Sequence, residues 1–345
     1  MGPDARGGAG GKPLVKRRGQ SYKRAMRILF VSATRIGDAV LSTGLLGHLV
    51  ETYPGARVTV ACGPAAAELF ETVPGLERVI VLEKMVASLH WLRLWALSVG
   101  KCWDLVVDLR SAPLTYLVLA KRQVHLHKHR HPGHRIRQLA GVMDLQDDPP
   151  LPRLWSSADH DARARGLIPD GTPVLAIGPT ANWRAKTWRP ERFAALCQRV
   201  TATDGLLPGG RIALFGAPEE RPEAIGLIES IPAERCIDLV GKAGLLDIHA
   251  ALKRCAFYVG NDSGLMHIAA AAGVPTLGLF GPSQEELYGP CGPLSASVRT
   301  TQSFADIHPD DFNHRTSDSL MDGLSVDQVY DALSALAERA RGEAA

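Results

Sequence analysis

Asn261-Asp262-Ser263-Gly264 closes the apolar run FYVGN and opens at once onto a stretch whose small face, Ala269 to Ala272, suits a helix lying close on a sheet. Asp262 or Ser263 can cap the amides of the first helical turn, and Gly264 gives the backbone room there. A helix N-terminus at the carboxyl end of a buried strand presents free amides and a partial positive charge, and in open α/β sheets anions bind at that edge. A phosphate is the expected ligand, which leaves the question of what is done with it.

Several chemistries lack their residues. No G-x-G-x-x-G follows the first apolar run, which weakens a nicotinamide or flavin reading. GGAGGKP has neither the spacing, the hydroxyl nor the preceding strand of a P-loop, and no G-x-S-x-G elbow marks an acyl-transfer serine. His125, His127, His129, His131 and His134 crowd the segment HLHKHRHPGH with no carboxylate or Cys among them. That composition favours a basic rim or plain surface over a metal site. No metal and no cofactor are expected.

The elements that must position such residues follow from length and pattern. A chain of 345 residues, 46% hydrophobic and 22% charged, is a soluble globular protein long enough for two domains. Residues 1–24 are Gly-rich and carry seven Lys and Arg against one Asp in a chain of net charge +3, and read as a disordered basic leader. Near anionic lipid each of its basic residues would add roughly 1 kcal/mol. The first apolar run is too short and too far from Met1 for a signal peptide, and no run approaches a membrane span. MVASLHWLRLWALSVG, interrupted by His90 and Arg93, reads as an amphipathic or buried helix. Six scattered cysteines without a CxxC pair suit reduced thiols and a cytoplasmic protein.

Short apolar runs alternate with helical patterns throughout. RILFVS, RVTVAC, RVIVL, DLVVDL and QVHLH are expected as strands in the first half, and PVLAIGP, RIALFG, CIDLVG, FYVGN and PTLGLFG in the second. DLQDDPPLPRLW, rich in Pro and Asp, is the linker between them. The expected fold class is α/β, with two doubly wound, Rossmann-like parallel-sheet domains facing across a cleft. Their bounds are 25–155 and 156–345, and the last helix, from Ser325, is a candidate to pack back on the first domain.

Three stretches together carry a family resemblance: RILFVSATRIGDAVLSTGLLGHLVETYP, IGPTANWRAKTWRPERFAAL and NDSGLMHIAAAAGVPTLGLFGPS. In this order and spacing they resemble the lipopolysaccharide heptosyltransferases, glycosyltransferase family 9, whose fold is GT-B. The resemblance implies an inverting, metal-independent transfer in which Asp38 is the general base that takes the acceptor proton. Asp38 would serve equally well as a helix cap. The K-x-W pattern stands as Lys186-Thr187-Trp188, with Arg189 where a proline usually follows, and implies a lysine on the departing diphosphate. Trp188 itself reads as packing. Thr180, Ser263 and Gly264 join the donor site, with Asp262 as a cap or a partner of sugar hydroxyls and His267 either a site residue or a structural one. Glu219 or Glu220, in GAPEE, suits the ribose hydroxyls. Charge and position alone put Arg35, Arg110, His134 and Arg135 on the acceptor side. Gly44 stands near the place where relatives usually carry a proline after the catalytic aspartate.

The implied activity moves a heptose, or a related sugar, from an ADP-sugar to a lipopolysaccharide core or lipid A-Kdo acceptor. It would act in the cytoplasm with peripheral contact to the inner membrane and no nucleic-acid partner. The sequence does not fix the oligomeric state. A sugar-nucleotide epimerase on the same scaffold and a non-catalytic nucleotide-sugar binder are the alternatives.

Overall fold

Continuous apolar runs with no polar alternation form strands covered on both faces. In the computed structural model, which describes residues 25–127, 132–304, 306, 307 and 317–344, these runs build two separate parallel sheets. The basic leader, His129 and His131 lie outside the described residues. The first sheet contains β1 (Arg27–Val31), β2 (Arg57–Cys62), β3 (Leu76–Val81), β4 (Trp103–Asp108) and β5 (Ala120–His125), in the order β3-β2-β1-β4-β5. Ile28 pairs with Val58 on one side and Leu105 on the other, so β1 is central. Helix α1 (Ile36–Thr52) follows β1, α2 (Leu89–Ser98) joins β3 to β4, and α3 (Arg135–Ala140) follows β5.

After the linker comes α4 (Ala158–Leu167), which starts at a Ser157/His160 capping box. The second sheet contains β6 (Val174–Gly178), β7 (Arg211–Leu214), β8 (Cys236–Asp238), β9 (Phe257–Asn261), β10 (Thr276–Phe280) and β11 (Ser295–Arg299). Its order is β11-β10-β9-β6-β7-β8, all parallel. Between these strands run α5 (Pro190–Val200), α6 (Arg221–Ser230), α7 (Leu245–Leu252), α8 (Gly264–Ala271) and the short α9 (Glu285–Tyr288), and α10 (Val326–Ala344) closes the chain. In each sheet the strand order reverses once, between β1 and β4 and between β6 and β9. Ligand crevices open at the carboxyl ends of such strands.

Two of these elements depart from expectation. Helix α10 packs on α5, β10 and β11, and Val329, Leu333 and Leu336 belong to the second sheet's core, so it does not return to the first lobe. Strand β11 has the polar sequence SASVR and is only half-buried, which is why its pattern does not announce it.

The lobes share more than a linker. One continuous core holds Phe30 and Leu46 of the first lobe together with Met266 and Ala269 of the second. The linker itself lies across α1: Arg153 N–H donates to Thr43 Oγ1 at 3.0 Å, and the Pro150 carbonyl sits over Gly44. A Cβ at residue 44 would come within 2.1 Å of that carbonyl oxygen. Gly44 is therefore a packing requirement, although a helix interior favours alanine by about 1 kcal/mol. Overpacking costs about 1–3 kcal/mol, so Gly44→Ala is expected to lower unfolding stability by about 1–2 kcal/mol. Urea denaturation checks this, and a gain in stability would show that the linker does not press on α1.

Candidate functional site

A cavity of about 760 Å³ lies where the carboxyl edges of the two sheets meet, and residues of both lobes line it. From the first lobe come Thr34 to Asp38, Ala65 and Glu68. The first turn of α1 brings in Asp38, because the chain leaves β1 at the switch point and turns directly into helix. Arg35 is the N-cap and makes no side-chain cap, so Asp38 sits inside the first turn and is not the cap. Its carboxylate is partly exposed, with Arg135 Nε 3.8 Å from Oδ1.

The second lobe supplies the opposite wall. Asn261, at the end of β9, is fully buried. Its amide donates to the Pro179 carbonyl at 2.8 Å, and its carbonyl oxygen accepts from Trp188 N–H at 3.0 Å. This clamp ties the loop carrying Lys186 to the switch point between β6 and β9. Trp188 completes the anchor: its ring is fully buried, its indole N–H donates to the Leu324 carbonyl at 2.9 Å, and Phe193 packs edge-on at 4.9 Å. Trp188 is packing, as its position suggested.

Lys186 projects from this loop into the cavity. Its ammonium lies 2.5 Å from Asp262 Oδ2 and 4.6 Å from the centre of the Trp183 ring. Asp262 thus holds the lysine and does not cap α8. Ser263 is the N-cap residue, and its side chain makes no bond to the first-turn amides. Ser263, Gly264 and Leu265 all line the cavity, so the uncapped helix end opens onto it. A desolvated pair of this kind fixes the ammonium's position more than it adds stability.

Two glycines set how closely the lobes approach. A Cβ on Gly264 would lie 2.8 Å from Ile36 Cγ2 and 3.3 Å from Gly37 N, and one on Gly37 would lie 3.0 Å from His267 Cδ2. The starts of α1 and α8 are therefore in contact across the lobe boundary. His267 is buried beneath them, and its Nδ1 has no hydrogen-bond partner among the described residues. Burial pushes its pKa down to about 4, although Asp262 pulls the other way, so the imidazole is neutral near pH 7.

Glu220 lines the cavity and is anchored: its Oε2 accepts from Thr180 Oγ1 at 2.9 Å and from Ala217 N–H at 2.8 Å. Thr180 acts through this contact and lies behind the wall. Glu219 also lines the cavity but is exposed and has no such anchor. Of the acceptor candidates Arg35 lines the cavity, whereas Arg110, His134 and Arg135 lie off its wall. Arg110 stacks on Trp91 of α2 at 4.8 Å. His134 bridges the lobes, with Nε2–H donating to the Gly289 carbonyl at 3.0 Å and Nδ1 accepting from Ile136 N–H at 3.3 Å. It thereby holds α3, and with it Arg135, near Asp38. His125 is buried against Asp108 and stacked on Tyr116, so His125 and His134 serve separate structural tasks.

Sequence reasoning missed Glu68, whose Oε1 accepts from Leu246 N–H at the start of α7 at 3.0 Å across the lobe boundary. No local pattern marks it. It also missed Trp183, although its spacing from Lys186 within ANWRAK was a usable signal.

The match that decides the family covers residues 77–313, more than half of the chain, and is to Glycosyltransferase family 9 (heptosyltransferase). The chain belongs to this family. It is a glycosyltransferase with the GT-B fold. The lipopolysaccharide heptosyltransferase 2 of Salmonella typhimurium is 24% identical over 90% of this chain and 98% of its own length. Among solved structures, a family 9 glycosyltransferase from Veillonella parvula superposes with a TM-score of 0.75 at 20% identity, covering 91% of this chain and 99% of that one. The E. coli ADP-heptose lps heptosyltransferase II gives 0.69 at 20% identity over 92% and 100%.

His267, and His249 on α7, are both buried, and burial pushes their pKa values down to about 4 and about 3. The unfolded chain binds protons at these residues from about pH 6.5 downward, and the folded chain does not. Their contribution to stability is therefore full above about 6.5 and is lost as pH falls, toward 4 for His267 and toward 3 for His249, at roughly 1.4 kcal/mol per pH unit for each histidine. Urea midpoints at stepped pH should show this fall, with His249→Leu shallower by about one histidine's share. An equal slope in the variant would contradict the assignment.

Proposed function

We propose that this glycosyltransferase moves a heptose, with inversion, from ADP-heptose to a hydroxyl of a lipopolysaccharide core acceptor. The reading rests on one observation: a single cavity carries Asp38 on the first lobe's wall and Lys186 with the uncapped start of α8 on the second lobe's wall. Residues 25–155 then serve the acceptor and 156–345 the donor. The heptosyltransferases similar to this chain support the sugar and the acceptor class.

In this reading the acceptor hydroxyl lies against Asp38, which takes its proton as the oxygen bonds to the anomeric carbon. The bond from that carbon to the diphosphate breaks on the opposite side, so one displacement inverts the centre. Negative charge grows on the departing diphosphate oxygens, where Lys186 and the amides of Ser263 to Leu265 receive it. Asp262 keeps the ammonium in place beforehand, which removes a reorganisation cost from the reacting complex. These groups neutralise the leaving group without a metal. Glu220, already fixed by Thr180 and Ala217, is the carboxylate suited to the ribose hydroxyls. Neutral His267 offers a hydrogen bond and no charge beside the reacting sugar. The enzyme acts on the cytoplasmic side of the inner membrane, where a lipid-borne acceptor is accessible. No helix among the described residues is long and apolar enough to cross a membrane.

Two substitutions test the roles separately. Asp38→Ala is expected to lower kcat by about 10²–10⁴-fold while ADP binds within a few-fold of the parent, read by transfer assay and calorimetry. Unchanged turnover would remove Asp38 from the reaction. Lys186→Ala is expected to weaken ADP-sugar binding by about 1.5–3 kcal/mol, the worth of a charge-assisted hydrogen bond. An unaltered dissociation constant would place the diphosphate elsewhere.

A further inference from the structure

Helix α2 is arranged the wrong way round for a helix facing water. Its inner side carries His90 and Ser98 along with Leu94, and neither His90 Nδ1 nor Ser98 Oγ finds a partner among the described residues. Its outer side carries Leu89, Leu92 and Leu97, all exposed. Just before it, Val86 is 87% exposed, and beside it the 3-10 turn Pro113–Leu117 and its continuation expose Tyr116, Leu117 and Leu119, the last two at 65% and 66%. Most of the large exposed apolar residues among those described sit on this one covering of the first sheet. An aqueous surface selects against such a cluster, so it marks a contact.

The charges around it indicate what the contact is. From Glu83 to Arg122 six Lys and Arg residues stand against three carboxylates; Asp108 is fully buried, Lys121 pairs with Asp104 and Lys101 with Glu77, which leaves Lys84, Arg93, Arg110 and Arg122 beyond these pairs. Arg93 lies on the exposed side of α2 between Leu92 and Leu97, Lys84 precedes the helix, and Arg110 stacks over Trp91 in the helix's first half. Tyr116 supplies an exposed aromatic ring, while Trp91 and Trp95 are partly buried and pack inward on the first sheet's core. Protruding aliphatics, an exposed tyrosine and a local excess of cations are the composition of an element lying in the interfacial layer of an anionic bilayer. A water-soluble protein partner would not need the cations, and a second copy of this chain would meet them with like charge.

We infer that α2 and the neighbouring turn form the membrane-docking face of the enzyme, inserted among the headgroups of anionic phospholipid. The inference deepens the proposed function, since an acceptor anchored in that bilayer would be presented to the first lobe. The helix enters at the carboxyl edge of the first sheet, the edge on which the cavity opens. The site of membrane contact is thus this folded face, whatever residues 1–24 contribute.

The test uses the full chain and flotation with vesicles of mixed phosphatidylcholine and phosphatidylglycerol. The parent protein should float with these vesicles. L89S/L92S/L117S should lose about tenfold or more of that binding, with unchanged Tm and unchanged transfer to a water-soluble, deacylated acceptor. Arg93→Glu, a single exposed charge reversal, should weaken flotation on the same vesicles and change nothing on phosphatidylcholine alone. The inference is overturned if the triple variant floats like the parent, which would leave binding to the leader. Absence of flotation by the parent overturns it too, as does a shift of the variant from dimer to monomer, which would make the face an interface between copies. Flotation needs no turnover, so a chain that floats through this face yet transfers no sugar would refute the proposed reaction and leave the docking face standing.

Discussion

The contact between the first turns of α1 and α8 is the constraint on which the site depends. Both helices begin at a strand end on a switch point, and both carry glycine where they meet, so Ile36 lies directly on the backbone of Gly264 and His267 on that of Gly37. A methyl group at Gly264 would collide with Ile36 and push the lobes apart. The approach places Asp38 on one wall and Lys186 with an open helix end on the other. It also explains why the lobes share a continuous apolar core, because a site divided between two bodies needs a fixed distance between them.

Around that contact the polar groups mostly hold one another in place. Asn261 fastens the lysine loop, Asp262 fastens the lysine, Thr180 fastens Glu220, and His134 fastens the helix that brings Arg135 to Asp38. Each link spans two elements distant in sequence. The result is a site whose chemical groups are oriented before any ligand arrives, a condition for electrostatic catalysis.

Much of this was legible in the sequence, for a physical reason. Strands buried on both faces must be continuously apolar, so RILFV, WDLVVD and FYVGN show themselves, and the residues just past their ends are then the candidates for a cleft. What stayed hidden depends on packing between distant segments. Gly44 looked like a divergence of the helix until the linker carbonyl was seen against it. Asp262 reads as a cap by local rules, but the ammonium of Lys186 is a stronger partner than the amides of its own helix. Helix α4 has no apolar stripe to advertise it, and Glu68 gains its role only because α7 begins beside it. The outward leucines of α2 could equally have been core; only the fold shows which way they face.

A crystal structure of the chain with ADP bound tests the central claim most directly. The account predicts the diphosphate over the amides of Ser263 and Gly264, within hydrogen-bond reach of Lys186, with Asp38 facing it from the other lobe across the cavity. Nucleotide density outside the shared cavity, or a diphosphate on the far side of the lobe from Asp38, would contradict it.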